Sequence, residues 1–362
     1  MYRSTGETMA KPKSVNRINS WCGWDPLEEV WVGRHYTPDY FQTIKDTKVR
    51  DPLSRIAEET EEDYQSLIKI LKDYGATVHR PGNNLCCNEH ARWSEGGITP
   101  AVQPRDFNYT YGNTLYRFEN KIFYNELYEM YKQDGCDVYD PYVNSLTPDS
   151  HNIEAPSLVR FGDAIIIDAH SDRQKNWIKE NFNDTKLFWW ETNEGHRDGV
   201  FCPVKEGLII SLHDYKEDAL HKKLFKGWDY VYMENVSWEN TIFKKEIHPS
   251  IGSMRHALYK TDGKFYVRGE EDNVKFIGFV NKWLKDWVGY VAESVFDINM
   301  LTLDENHVIV NSYNKTVFDT FKKHKIEPII CNLRHRYFWD GGLHCNTLDI
   351  RRKGNKRQVL DY

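Results

Sequence analysis

A pattern of strand, tight turn and strand recurs along this chain, and a repeat of that kind limits the fold more than any single motif does. Leu158 to Phe161, the turn Gly162-Asp163, and Ala164 to Ile167 form one copy. Val200 to Val204, Lys205-Glu206-Gly207, and Leu208 to Ile210 form another. Met300 to Leu303, Asp304-Glu305-Asn306, and Val308 to Val310 form a third. Phe107 to Tyr111, Gly112-Asn113, and Thr114 to Tyr116 give a more polar version, and Asp25 to Gly33 holds part of a first one around Val30-Trp31-Val32. The apolar runs are short and bounded by turn residues, which is how buried strands of a hairpin read.

Several copies continue into an amphipathic helix and another strand. Tyr64, Leu67, Ile68 and Leu71 fall on one helical face, Gly75 ends that helix, and Ala76-Thr77-Val78 leads away extended. Leu220 and Leu224 stand before Gly227 and Tyr230-Val231-Tyr232 in the same way, as do Val317, Phe318 and Phe321 before Ile329-Ile330. Copies in one order, spaced mostly by roughly 45 to 50 residues, point to ββαβ units repeated about an axis rather than to one continuous α/β sheet. The expected organisation is a flexible tail over 1–17 and a single domain over 18–362, with an insertion at about 238–285 stretching the fourth unit.

Composition narrows the function classes. A net charge of −6 is spread along the chain, so runs such as Arg351-Arg352-Lys353 read as solvated faces and no nucleic-acid partner is expected. No apolar run approaches the length of a membrane span, and no membrane partner is expected. The seven cysteines are odd in number and scattered, which does not describe a disulfide framework and suggests a reducing, cytoplasmic setting. Cys86-Cys87 with His90 resembles half of a zinc site, but adjacent cysteines lack the usual ligand spacing and a plain loop is the favoured reading; no metal is expected. No glycine lies in a phosphate-cradling motif, and no cofactor is expected.

Polar residues gather just ahead of the first strand of each hairpin: Asp106 before Phe107, Glu154 before the Leu158 strand, His196 and Asp198 before the Val200 strand. In a radial repeat, equivalent positions meet near the axis. Cys345 follows the last unit within Gly341-Gly342-Leu343-His344-Cys345-Asn346-Thr347. Singly, each has an ordinary reading: a cysteine as a small buried hydrophobe, a histidine as a satisfied structural residue, Asp106 as a turn cap. Their shared place in the repeat argues for a thiol, an imidazole and an orienting carboxylate acting together, and the further aspartates imply a cationic substrate.

At these residues the sequence resembles the amidinotransferases, within the guanidino-modifying (pentein) superfamily. The resemblance rests on Trp24-Asp25-Pro26-Leu27-Glu28-Glu29-Val30, Gln103-Pro104-Arg105-Asp106, Ile153-Glu154-Ala155, Asn193-Glu194-Gly195-His196-Arg197-Asp198, and the stretch from Gly341 to Arg352, in that order. It implies a five-fold pseudosymmetric α/β-propeller of ββαβ modules and a ping-pong transferase. On that reading the Cys345 thiolate attacks the guanidinium carbon of arginine, held by Asp106 and Asp198. His196 protonates the departing ornithine amine, and Glu154 orients His196. Cationic His196 favours the thiolate. Small-molecule substrates are the implied partners, and a homodimer is among the forms the family takes. Asn193, Tyr215 and Glu293 are further candidates for substrate contact. Tyr215 falls where the family carries a basic residue for the substrate carboxylate; the serine pair beneath the guanidinium falls near Ala292 and Glu293. Arg160, Lys216, Arg334 and Arg336 are the candidate cations that stand in. Two other readings stay open: a deiminase or dihydrolase, which admits water at the second step and whose relatives share the glutamate at position 154, and a non-catalytic binding member.

Overall fold

The computed structural model describes residues 16–82, 102–141, 153–169, 171–190, 196–212, 214–215, 217–233, 269–270, 272–283, 297–336, 338–339 and 341–362. Asn193, Lys216, Ala292, Glu293, Cys86, Cys87, His90 and most of the insertion around 238–285 lie outside them.

The chain forms a mixed α/β fold with five three-stranded sheets among the described residues. Four are built from consecutive strands: β3 (Asn108–Tyr111), β4 (Thr114–Arg117) and β5 (Asp137–Tyr139); β6 (Leu158–Phe161), β7 (Ala164–Ile167) and β8 (Lys186–Trp189); β9 (Phe201–Lys205), β10 (Leu208–Ser211) and β11 (Asp229–Tyr232); β12 (Leu301–Asp304), β13 (His307–Val310) and β14 (Glu327–Ile330). In each, the first two strands pair antiparallel and the third lies parallel to the second. The fifth sheet has the same pattern but takes its strands from both ends of the chain: β15 (Thr347–Arg352) pairs antiparallel with β1 (Leu27–Val32), which runs parallel to β2 (Thr77–His79). The partial first module read from the sequence is therefore completed by the C-terminal strand.

A helix links the second strand to the third in each sheet: α1 (Thr47–Asp73), α2 (Asn125–Gln133), α3 (Asp172–Asn181), α4 (Ala219–Leu224) and, after the extra helix α5 (Val274–Trp283), α6 (Lys315–Lys323). Side-chain caps start four of them: Asp46 on Lys48 N, Ser171 on Gln174 N within a capping box, Asp218 on His221 N, and Asn314 on Val317 N. Gly75, Gly135 and Gly227 end three at positive φ, where a side chain is strained; Lys325 takes that place after α6 at φ 56°. The described part of the insertion docks on α1, through buried Phe276 and an Asn273 amide bonded to Lys48 O at 2.7 Å.

Burial falls across every sheet. First and second strands are almost wholly buried, whereas β2, β5, β8, β11 and β14 are partly exposed. The inner strands are rich in Ile, Val, Leu and Phe and make the core; the ends of those strands carry the polar residues discussed next.

Candidate active site

A short helical turn precedes three of the first strands: Pro104–Phe107, Ala155–Ser157 and Arg197–Gly199. Proline near the start of the first two presets the backbone for a turn that stops after a few residues. The turns pack against one another, so segments about 45 residues apart in sequence present their leading side chains together. Glu154 and His196 occupy the extended positions just before two turns, and Asp106 and Asp198 lie inside two.

Cys345 is buried beside them. Its Sγ–H donates to Asp198 Oδ2 at 3.3 Å, and the Asn299 amide donates to Sγ at 3.1 Å. Asn299 Oδ1 also accepts from Cys345 N at 2.9 Å, so one side chain brackets the residue from both directions. His344 Nδ1 lies 2.8 Å from the same Asp198 Oδ2. Asp198 Oδ1 is buried with no hydrogen-bond partner among the described residues. His196 stands between two carboxylates, its Nδ1 3.9 Å from Asp106 Oδ2 and its Nε2 3.6 Å from Glu154 Oε2. Glu154 is the open member, with 55% of its side chain exposed against 4% for Asp106.

The electrostatics follow from this crowding of acids. Burial, then the negative charges of Asp198 and Asp106, push the Cys345 thiol well above its usual range. Burial works against the Asp198 carboxylate, but the His344 hydrogen bond and neighbouring positive groups outweigh it and hold Asp198 well below the usual carboxylate range. His344 is pulled down to about 4 by burial and by Arg105, against the pull of Asp198. At neutral pH the pair is thus an ionised Asp198 receiving Nδ1–H of a neutral His344. Burial and the two aspartates act on the thiol in the direction opposite to the one expected of a cationic His196. Cys22, Cys202 and Cys331 are also pushed up to about 12, chiefly by burial; the thiol at 345 is marked out by its direct hydrogen bonds to Asp198 and Asn299.

The loop carrying Cys345 is held from several sides. Arg105 Nε donates to His344 O at 2.8 Å and Thr347 O at 2.9 Å, and Gln103 donates to Trp339 O. Trp339 Nε1 reaches Thr60 of α1 at 2.7 Å. A Cβ on Gly341 would stand 2.7 Å from Asn346 Oδ1 and 3.3 Å from Cys345 Cβ, so the loop closes this tightly only without a side chain there.

Five residues singled out from the sequence come together here: Cys345, His196, Glu154, Asp106 and Asp198. Tyr215 instead packs its ring 4.7 Å from Trp190 and 6.5 Å from Phe201. Three of the candidate cations already have carboxylate partners: Arg160 on Asp349, Arg334 on Asp63 and Glu62, Arg336 on Asp297. Sequence reasoning missed His344 and Asn299. Asn299 was within reach of the same rule that found Asp106, since each stands two residues before a first strand.

No protein-family model matches the chain. It is 23% identical to the L-arginine:L-lysine amidinotransferase of Pseudomonas savastanoi pv. phaseolicola, over 95% of this chain and 96% of that one. It is 23% identical to the mitochondrial glycine amidinotransferase of Danio rerio, over 91% and 82%. Its fold matches that of inosamine-phosphate amidinotransferase from Streptomyces griseus with a TM-score of 0.63 at 17% identity, covering 95% of this chain and 99% of that structure. The chain is thus similar to several amidinotransferases along nearly its whole length. The relatives are named as amidinotransferases, which are transferases. The alignment with these relatives runs nearly end to end, so the likeness is carried by the whole chain and not by one motif.

Proposed function

We propose that this chain is an amidinotransferase that moves the amidino group of L-arginine to an acceptor amine through an amidino-cysteine on Cys345, releasing ornithine. The observation that carries the reading is the Cys345 thiol seated on Asp198, with Asp106, His196 and Glu154 in the same cluster. The five sheets are read as blades of an α/β-propeller in a single domain, with this cluster near its axis; the recurring strand order and the fall of burial across every sheet support that.

Two buried carboxylates beside a neutral thiol make a site short of one positive charge. A guanidinium supplies it: Asp106 and Asp198 receive its N–H groups in charge-assisted hydrogen bonds, and its charge offsets the acids that oppose thiolate formation. Sγ then bonds to the guanidinium carbon as the thiol proton passes to His196. His196 returns that proton to the ornithine nitrogen as the C–N bond breaks, leaving the amidino group on sulfur. An acceptor amine adds to that carbon, gives a proton to His196, and the C–S bond breaks to restore the thiol. Glu154, 3.6 Å from His196 Nε2, orients the ring and stabilises its charged form.

One relative is named for transfer between arginine and lysine, which supports arginine as donor. The carboxylate partners of Arg160, Arg334 and Arg336 argue against a small zwitterion such as glycine as acceptor, because no free cation among these three awaits its acid group. The test is incubation with arginine alone and with glycine, ethanolamine, a short diamine or lysine. Ornithine together with a guanidino product from an amine is expected, with glycine among the poorest acceptors. Urea formed with ornithine assigns the second step to water, citrulline formed with ammonia means that the first step expels ammonia instead of ornithine, and no turnover with any amine removes the proposal.

A further inference from the structure

Asn299 stands two residues ahead of β12, the place in its module that Asp106 holds ahead of β3. It is buried, and three of its groups reach the segments that hold the thiol. Oδ1 accepts from Cys345 N at 2.9 Å, Nδ2 donates to Asp198 O at 3.1 Å and to Cys345 Sγ at 3.1 Å, and the backbone carbonyl accepts from His344 N at 3.3 Å. These partners fix which end of the amide is which. A backbone N–H only donates and a backbone carbonyl only accepts, so the oxygen faces residue 345 and the NH2 group faces Asp198 O and the sulfur. One hydrogen answers Asp198 O, and the other is directed at Sγ.

The other polar neighbours of the sulfur are of the opposite kind. Asp198 Oδ2 accepts the S–H at 3.3 Å, and burial together with the charges of Asp198 and Asp106 opposes an anion on sulfur. Tyr64 of α1 is in electrostatic reach of Cys345, but burial holds its phenol protonated and it brings no charge to offset one. The Asn299 hydrogen bond acts the other way and favours the anion. A hydrogen bond to a charged acceptor is roughly twice as strong as one to a neutral acceptor. The Nδ2–H contact therefore contributes most in the states in which sulfur carries charge, which is how a fixed donor speeds a reaction.

We propose that Asn299 is a catalytic residue of this site, its Nδ2–H holding the negative charge on Cys345 Sγ as the sulfur attacks and again as it departs. The two steps are those of the amidino-transfer reading, on which the proposal rests. In the first, the thiol proton passes to His196 and a sulfur lone pair becomes the S–C bond. In the second, the acceptor nitrogen has bonded to the amidino carbon, the C–S pair returns to sulfur, and the sulfur regains its proton from His196. Between the two steps the sulfur shares its pair with carbon and is a poor acceptor, and the bond to Asp198 O keeps the amide in place.

The first measurement needs no substrate. The rate at which iodoacetamide alkylates Cys345, followed by peptide mass spectrometry, is recorded against pH in the wild type and in Asn299→Ala. Loss of the donor should displace the profile to higher pH by about one to two units. A structural role alone predicts the reverse, because a loosened site admits water to a thiol that burial holds up. A profile that moves to lower pH, or does not move, overturns the proposal. Asn299→Ser leaves a smaller gap and is read in the same way if Asn299→Ala does not fold. The second measurement is turnover with arginine and an amine, in which kcat should fall by about ten- to a hundredfold with little change in KM for arginine. A displaced alkylation profile with wild-type kcat overturns the catalytic role. A wild type that transfers no amidino group removes the reaction assigned above, and the alkylation profile then still decides whether Asn299 serves the thiolate.

Discussion

Cys345 and Asp349 stand four residues apart on one C-terminal segment, each inside a buried cluster of charges, yet the two clusters are finished to different degrees. Asp349 accepts from Arg105, Arg160, Arg352 and Ser20, and although burial opposes ionisation those arginines hold its carboxyl well below the usual range. Asp198, beside Cys345, offers one oxygen to His344 and the thiol and keeps the other without a partner among the described residues. The first cluster has more cations than acids; the second has more acids than cations. A charge cluster that closes on itself holds strands together, and one left open toward a missing cation is arranged to receive a substrate.

The largest expected difference is in stability. Asp349→Asn leaves three buried guanidinium groups without their acid and should cost about 3 to 5 kcal/mol in denaturant unfolding. Asp198→Asn should cost far less stability. A result in the reverse order would mean that the roles of the two clusters are exchanged.

The next effect is kinetic. Asp198→Asn removes one charge-assisted hydrogen bond to a guanidinium, worth about 1.5 to 3 kcal/mol, and should lower turnover of arginine by roughly ten- to a hundredfold or more. The same change removes a negative charge that pushes the Cys345 thiol up. The pH midpoint for alkylation of Cys345 in the free protein should therefore fall. An unmoved midpoint would show that burial alone sets the thiol.

How much of this contrast was legible in the sequence depends on whether the signal was local. The hairpins were, because Leu158 to Ile167 or Leu208 to Ile210 carry their own strand pattern and turn residues. Asp106, Glu154, His196 and Asp198 followed from their common place ahead of those hairpins. The closure of the first sheet by β15 was not, since pairing Val32 with Thr347 across more than three hundred residues leaves no periodicity to read. Nor was the raised thiol, which follows from how two aspartates on different segments crowd one sulfur once the turns are packed. His344 sat in plain view inside the cysteine segment, but only the 2.8 Å contact with Asp198 gives it a part.

The smallest effect concerns that histidine. His344 is held down to about 4 in the folded chain, whereas a free histidine titrates near 6.5. The unfolded chain therefore takes up its proton first as pH falls. This stabilising contribution is complete above about 6.5 and is lost as pH drops through the folded value near 4. His344→Gln should flatten that part of the stability–pH curve, as followed by chemical denaturation at a series of pH values. An unchanged slope would mean that the ring is more open to solvent than its pairing with Asp198 implies.

The central claim is that the open cluster exists so that Cys345 can carry an amidino group. It is tested most directly by treating the protein with arginine in the absence of any amine acceptor, quenching in acid, and mapping the adduct by peptide mass spectrometry. The account predicts an amidino group on Cys345, on no other cysteine, formed in step with ornithine and absent from Cys345→Ala. An adduct on Cys202 or Cys331, or ornithine release undiminished in Cys345→Ala, would contradict it.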